Sequence, residues 1–457
     1  MKRTMETNKE NPRREFIKKS ILAGSFFHLG AGLGGAQAEA MARIIGESSK
    51  KSPAAQKTVA LIANIYRNSA HADVIGTKLF AGIPTDEGMV APQVKIVSVW
   101  IDQIGANDTG VRIAKMNGAT VYGTIAEALT LGGDKLAVDA VIYIGEHGEY
   151  PYSRYGIKMY PRMNYLEQIF RVFDASNKSV PLFTDKHLAY SWLDSKWIYD
   201  RSKELEVPMM AGSSLPFCWR DRPLEHPIGL GISEAVAIGY ASLDAYGFHV
   251  AEILQCMVER RAGGETGVAS VLGLKGEDVW KAMDDGRINM DLVTAACNSI
   301  KGRKQGDMRK LVEAPHAILV SYNDGTKGAI VMLTGYVNQG WAYAANTSQG
   351  QVATEFVLDH SMSYSHFSYL TLNIQEFIRT GKPTAPVERT LLTSGITDMG
   401  IRSLVDGETK QTPFLNLSYS AEGYAPIRPT APRPEGQSIG PWPPEGYEFI
   451  IPDRFKE

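Results

Sequence analysis

The sequence predicts an α/β protein: an amino-terminal, Rossmann-like doubly wound parallel sheet followed by an α+β domain with a mostly antiparallel sheet. Three observations predict it. Between residues 58 and 211 short apolar strand-like runs alternate with helical patterns, the rhythm of βαβ units. The run Ala137–Ile144 is almost continuously apolar, as a strand covered on both faces must be. Beyond about residue 220 the strand-like runs follow one another, separated by turn signals such as Asn323-Asp324-Gly325.

Taken in order, Thr58–Ala63 reads as a strand and Ala70–Phe80 as a helix. Val94–Ile101 alternates as a strand and ends at Asp102, Val111–Met116 is helical, and Thr120–Tyr122 is a short strand. Ile125–Leu131 is a helix stopped by Gly132-Gly133, and Ala137–Ile144 is the buried strand. Tyr165–Ser176 and Ser191–Leu205 are helices; Val180–Thr184 and Pro208–Ala211 are strands. Further on, Gly239–Arg260 is a long helical pattern, and Val268–Leu272, His316–Ser321, Ala329–Thr334 and Trp341–Asn346 are strand-like. Phe367–Arg379 is a helix ended by Gly381, and the stretch from Ala425 is proline-rich and expected to wrap the surface in extended form. The expected division is 58–215 for the first domain, 216–420 for the second and 421–457 for the tail.

Composition sets limits. The chain has 457 residues, 44% hydrophobic and 21% charged, with a net charge of −2, which gives no basic surface for a nucleic acid. Asn11-Pro12-Arg13-Arg14-Glu15-Phe16-Ile17-Lys18-Lys19 reads as a twin-arginine core. A glycine-rich apolar stretch, Ile21–Gly35, follows, then A-x-A-like sites at Ala36-Gln37-Ala38 or Ala38-Glu39-Ala40. Residues 1–40 are therefore expected to be a signal peptide and 41–57 a linker, placing the protein in the periplasm or otherwise outside the cytoplasm with no membrane span after cleavage. Cys218, Cys256 and Cys297 form neither a disulfide framework nor a C-x-x-C metal site.

Residues 58–71 read as the strand, turn and helix where a dinucleotide-binding G-x-G-x-x-G would stand. The three glycine positions hold Ala63, Ile65 and Asn68. The second glycine lets backbone approach a pyrophosphate, and an isoleucine there puts a branched side chain in that space. Ligands of doubly wound sheets bind outside the carboxyl ends of the strands. That rule selects Asn64, Asp102, Gly145-Glu146-His147, Asp185-Lys186-His187 and Ser213-Ser214.

The order of elements over residues 58–400 resembles the glucose–fructose oxidoreductase, inositol dehydrogenase and MocA family, as a divergent exported branch. Its landmarks are His71 after the first turn, Val138-Asp139-Ala140-Val141, Asp185-Lys186-His187 in place of Glu-Lys-Pro, Gly247-Phe248-His249, and Gly381-Lys382-Pro383. The departures are the missing glycines and Gly145-Glu146-His147 in place of Thr-Pro-Asn. The resemblance implies a sugar or polyol oxidoreductase with NAD or NADP and a homo-oligomer; export to a compartment where free NAD(H) is scarce implies that the cofactor is tightly held. It places Lys186 beside the nicotinamide and the reacting hydroxyl, and His249 as the acid/base group.

The residues themselves give Lys186 and His249, with Asp185 and His187, as catalytic candidates, since a strand-end lysine and a histidine suit proton transfer. Asn64, Asn68, Asp102, Glu146, His147 and Lys186 are candidates for holding a cofactor; Asp102 lies 39 residues beyond Ala63, later than the usual ribose-binding acid at about 20. Glu146, His147, Asp185 and His187 are the donor types of a divalent metal site. Glu252 shares a helix face with His249, and Arg67, Arg154 and Arg162 offer positive charge. Two alternatives stay open: a redox-neutral lyase, hydratase or epimerase, with or without metal, and a non-catalytic sugar-binding protein.

Overall fold

Six parallel strands make the first sheet: β1 (Lys57–Ala63), β2 (Val94–Ile101), β3 (Thr120–Val121), β4 (Ala140–Ile144), β5 (Leu182–Asp185) and β6 (Met209–Gly212). Their spatial order is β3-β2-β1-β4-β5-β6, the doubly wound order in which the crossover direction reverses between β1 and β4. Residues 56–358, 364–429 and 449–450 are described in the computed structural model. The twin-arginine segment, the linker up to residue 55 and most of the proline-rich tail lie outside them.

Every residue of β4 is buried, and so are the last five of β1, which explains their unbroken apolar runs. After β1 the chain enters a helical segment whose first part is a π turn, Asp73–Thr77, leading into α1 (Lys78–Ala81). Helices α2 (Gly110–Met116), α3 (Ile125–Thr130), α4 (Arg162–Ser176) and α5 (Trp192–Glu204) complete the crossovers. Thr124 and Glu127 form a capping box at the start of α3.

The second sheet holds β7 (Trp219–Asp221), β8 (Ile232–Gly239), β9 (Val268–Lys275), β10 (His316–Tyr322), β11 (Lys327–Met332), β12 (Ala342–Thr347), β13 (Gly350–Val357) and β14 (Lys410–Gln411). Their order is β14-β9-β10-β11-β8-β12-β13-β7, with β8 and β11 parallel and every other pair antiparallel. One face packs on α6 (Phe248–Val258), and the other on α7 (Glu277–Asp284), α8 (Met290–Ser299) and α9 (Met308–Leu311). Period-two alternation does this: Ala235 and Ala237 point into the first core, Val236 and Ile238 into the second.

Two late helices tie the sheets together. α10 (His366–Thr380) packs Phe367, Leu370 and Ile374 onto Val59, Leu61 and Ile142 of the first sheet. α11 (Val387–Asp406) packs Leu391 and Ile396 with Ile318 and Ile330 of the second. The helix expected from Gly239 starts later: β8 runs through Gly239, and α6 follows a π turn at Leu243–Gly247. The strands β7, β8, β13 and β14 and helices α7, α8, α9 and α11 are additions to the sequence reading. Cys218, Cys256 and Cys297 are buried and free. No helix among the described residues is long and apolar enough to cross a membrane.

Candidate active site

The carboxyl ends of β1, β4, β5 and β6 converge with the first turn of α6. Two site residues leave their strands in left-handed backbone: His147 at φ 63° and Lys186 at φ 61°. Such conformations are costly for non-glycine residues and concentrate at functional sites. The Lys186 amide donates to the Gly212 carbonyl at 3.0 Å, fixing the turn beyond β5 against the end of β6. Gly212 has φ 126°, and a Cβ on it would lie 2.7 Å from a Glu252 carboxylate oxygen, so glycine is needed for this approach.

Three pairings organise the polar groups. Lys186 Nζ lies 2.8 Å from Glu146 Oε2. Asp185 Oδ2 lies 2.6 Å from His71 Nδ1. Ser213 Oγ lies 2.6 Å from His249 Nδ1. Arg162, fully buried, donates to the Asp185 carbonyl at 2.6 Å and stands 3.7 Å from Glu146. Glu252 accepts from Thr393 Oγ1 at 2.6 Å and from the Ser213 amide at 3.4 Å.

A cavity of about 210 Å³ opens where the two sheets meet. His71, His147, His249 and His366 line it, with Ser214 and the aromatic rings of Tyr240, Tyr246 and Trp341. Burial pushes the His147 imidazole down to about 4. Burial, reinforced by the charge of Lys186, holds His249 well below its ordinary value. Burial and then Arg162 bring His187 down to about 3. Burial pushes Glu146 up, but the charge of Lys186 and its neighbours holds it well below the usual carboxylate range. At neutral pH His147, His187 and His249 are therefore neutral imidazoles beside the Lys186–Glu146 pair.

The expected residues divide. Lys186, Glu146, His147, Asp185 and His249 come together. His187 is adjacent and buried, its ring packed between Phe248, 5.5 Å between centroids, and Tyr160 at 6.4 Å, and it is not among the donors that group with Glu146 and Asp185. Asn64 is fully buried, its side-chain oxygen accepting from the Tyr143 hydroxyl and its side-chain amide nitrogen without a partner among the described residues. Asn68 is exposed on the turn after β1. The Asp102 carboxylate accepts from the Tyr150 hydroxyl at 2.7 Å. The metal-type donors that group are His71, Glu146 and Asp185, rather than a set including His147 and His187. His71 served only as a landmark in the sequence, and His366 and Trp341 gave no signal, because they arrive from elements far along the chain.

A nicotinamide dinucleotide is the group that the family resemblance in the sequence implies. A hollow of about 290 Å³ lies at the ends of β1 and β2, lined by Ile65, Arg67, Asn107, Asp108, His147 and Lys158 among others. It offers two cationic side chains, Arg67 and Lys158, beside the carboxylates of Asp108 and Glu149. The glycine turn is absent: Ile65 lines the hollow, and Tyr66 packs so tightly that a Cβ on Gly110 would fall 2.5 Å from it. A dinucleotide bound here would be held by side chains across this crevice, not on turn backbone.

No family model matches the chain, and no curated protein matches it. Among solved structures, it is similar to GenD2 from gentamicin A biosynthesis in complex with NAD, at 13% identity and TM-score 0.49, over 79% of this chain and 97% of that one. Myo-inositol 2-dehydrogenase from Lactobacillus plantarum gives 12% identity and TM-score 0.48, over 78% and 99%. An oxidoreductase from Agrobacterium radiobacter in complex with NAD+, L-tartaric acid and magnesium gives 12% and 0.45, over 78% and 98%. At such identities and scores none of them places a substrate or cofactor in this chain.

Proposed function

We propose that the chain is an oxidoreductase-like enzyme acting on a sugar or polyol with a nicotinamide cofactor. The observation that supports it most is the pairing of Lys186, at the end of β5, with Glu146 at 2.8 Å, next to the cavity that His147 and, from α6, His249 line. Ser213 occupies Nδ1 of His249, leaving Nε2 to take a proton from a substrate hydroxyl. Lys186, turned from Glu146, donates to the same oxygen. Tyr246 and Trp341 offer flat faces for a sugar ring, while the histidines and Ser214 suit its hydroxyls. When bound, the nicotinamide would supply the hydride acceptor, and Arg67, Asn107 and His147, which line the hollow, would hold the dinucleotide.

Export by the twin-arginine route remains part of this proposal, and with it a tightly held cofactor. A homo-oligomer would have to use surfaces other than the faces of the second sheet, which helices cover. The missing glycine turn favours a second reading, a redox-neutral lyase, hydratase or epimerase using the same acid/base groups. The deciding experiment is mass spectrometry and ultraviolet absorbance of ligand released from the denatured protein. NAD or NADP near one per chain supports hydride transfer. No nucleotide, and none bound on titration, removes the oxidoreductase reading; saturable sugar binding without turnover then supports a binding protein.

A further inference from the structure

We propose that His71, Glu146 and Asp185 form a site for one divalent cation, and that Lys186 holds its place in the cation-free protein. The three residues sit at the ends of the neighbouring strands β1, β4 and β5, and one donor atom from each lies within 4.8 Å of the others. That span suits three donors around a single ion at bond lengths of about 2.0–2.3 Å. Glu146 and Asp185 are buried, while His71 lines the 210 Å³ cavity, so the ion would be backed by protein and open toward a ligand.

An independent observation points to a missing partner. Asp185 is 0% exposed, and its Oδ1 has no hydrogen bond among the described residues. A buried carboxylate oxygen without a partner is unusual, and a metal ion is one of the things that explains it. The donor set, one imidazole nitrogen and two carboxylates with open positions, suits a borderline first-row ion such as Mn²⁺ or Zn²⁺ better than a fully closed structural site.

Charge explains the role of Lys186. The two carboxylates are already offset by the Lys186 ammonium, 2.8 Å from Glu146, and by Arg162 at 3.7 Å. A divalent ion entering beside both would be repelled, so its binding requires the flexible ammonium to leave Glu146 for the cavity. Cation and lysine therefore compete for one carboxylate. This site does not rest on the nicotinamide reading.

The test uses the full chain, stripped with a chelator and titrated by calorimetry with Mn²⁺ and separately with Zn²⁺, with thermal unfolding as a second readout. One ion per chain is expected. Asp185→Asn and Glu146→Gln should each weaken binding by about tenfold or more, and Lys186→Gln should tighten it by about tenfold, since each changes direct coordination or its competitor. Failure of both the wild type and Lys186→Gln to take up an ion overturns the proposal, even if the carboxylate variants do not fold. Unchanged binding in folded Asp185→Asn and Glu146→Gln overturns it as well. Neither result bears on released nucleotide, so the two readings fail separately.

Discussion

Ser213 Oγ sits 2.6 Å from His249 Nδ1 and also accepts the Leu215 amide at 3.2 Å. The amide takes one lone pair, leaving the hydroxyl proton and the other lone pair for the ring. The serine can thus donate to Nδ1 or accept from it, holding either tautomer of a neutral imidazole. Ser213→Ala removes that control and leaves a buried Nδ1 without its partner, at a cost of about 1–3 kcal/mol. Nitrogen chemical shifts of the His249 ring should report a changed tautomer balance in the variant. Identical shifts in both proteins would show that Ser213 does not set the tautomer.

Lys186 and Glu146 should be coupled in stability. With Lys186→Met, the 6% exposed Glu146 side chain keeps Arg162 at 3.7 Å and the His147 amide at 3.4 Å but loses its paired ammonium, and loss of one partner of a buried pair costs about 3–5 kcal/mol. Adding Glu146→Gln removes the stranded charge. The double variant should therefore be more stable than the sum of the single changes predicts, with a coupling of about 0.5–3 kcal/mol. Urea unfolding of the four proteins measures this, and strict additivity would mean that the pair is not coupled in the fold.

Much of this arrangement is legible from the chain, and the limits have physical causes. Strands covered on both faces leave unbroken apolar runs, so the first sheet and its carboxyl-end loops can be found, and with them Glu146, Asp185 and Lys186. Helix α11 hides because it is buried nearly all round and rich in poor helix formers, Thr390, Thr393, Ser394, Gly395 and Thr397. Strand β8 hides because its end at Gly239 runs into the helical pattern of α6 after only a few residues. The His71–Asp185 pair joins residues 114 positions apart, and no local pattern announces such a contact. The burial of Asn64 was hidden for a related reason: Tyr143, on the adjacent strand, takes its side-chain oxygen.

The nicotinamide reading makes its own demand of Ile65. This side chain lines the hollow at the end of β1 where a phosphate would have to approach the backbone. If a dinucleotide binds across the crevice, trimming the side chain should improve its contact. Ile65→Gly is expected to bind NAD at least about tenfold more tightly than the wild type, because a helix amino terminus following an open turn is an anion site. Calorimetric titration of both proteins checks it. Equal, weak binding would indicate that the crevice is not a dinucleotide site.

Acid stability should carry the signature of a histidine remote from these pairs. His226 is buried, its Nε2 3.2 Å from the Tyr343 hydroxyl, and burial followed by the charge of Arg220 pushes it from 6.5 down to about 4. The folded protein thus resists protonating a group that the unfolded chain protonates near 6.5. Its contribution to stability is fully present above that value and is lost as pH falls, the loss being complete once pH passes below about 4. His226→Gln keeps a partner for Tyr343 and does not titrate in this range. Urea midpoints measured from pH 7 to 4 should fall less steeply in the variant, by close to one proton. Parallel curves would show that His226 is protonated as readily in the fold as out of it.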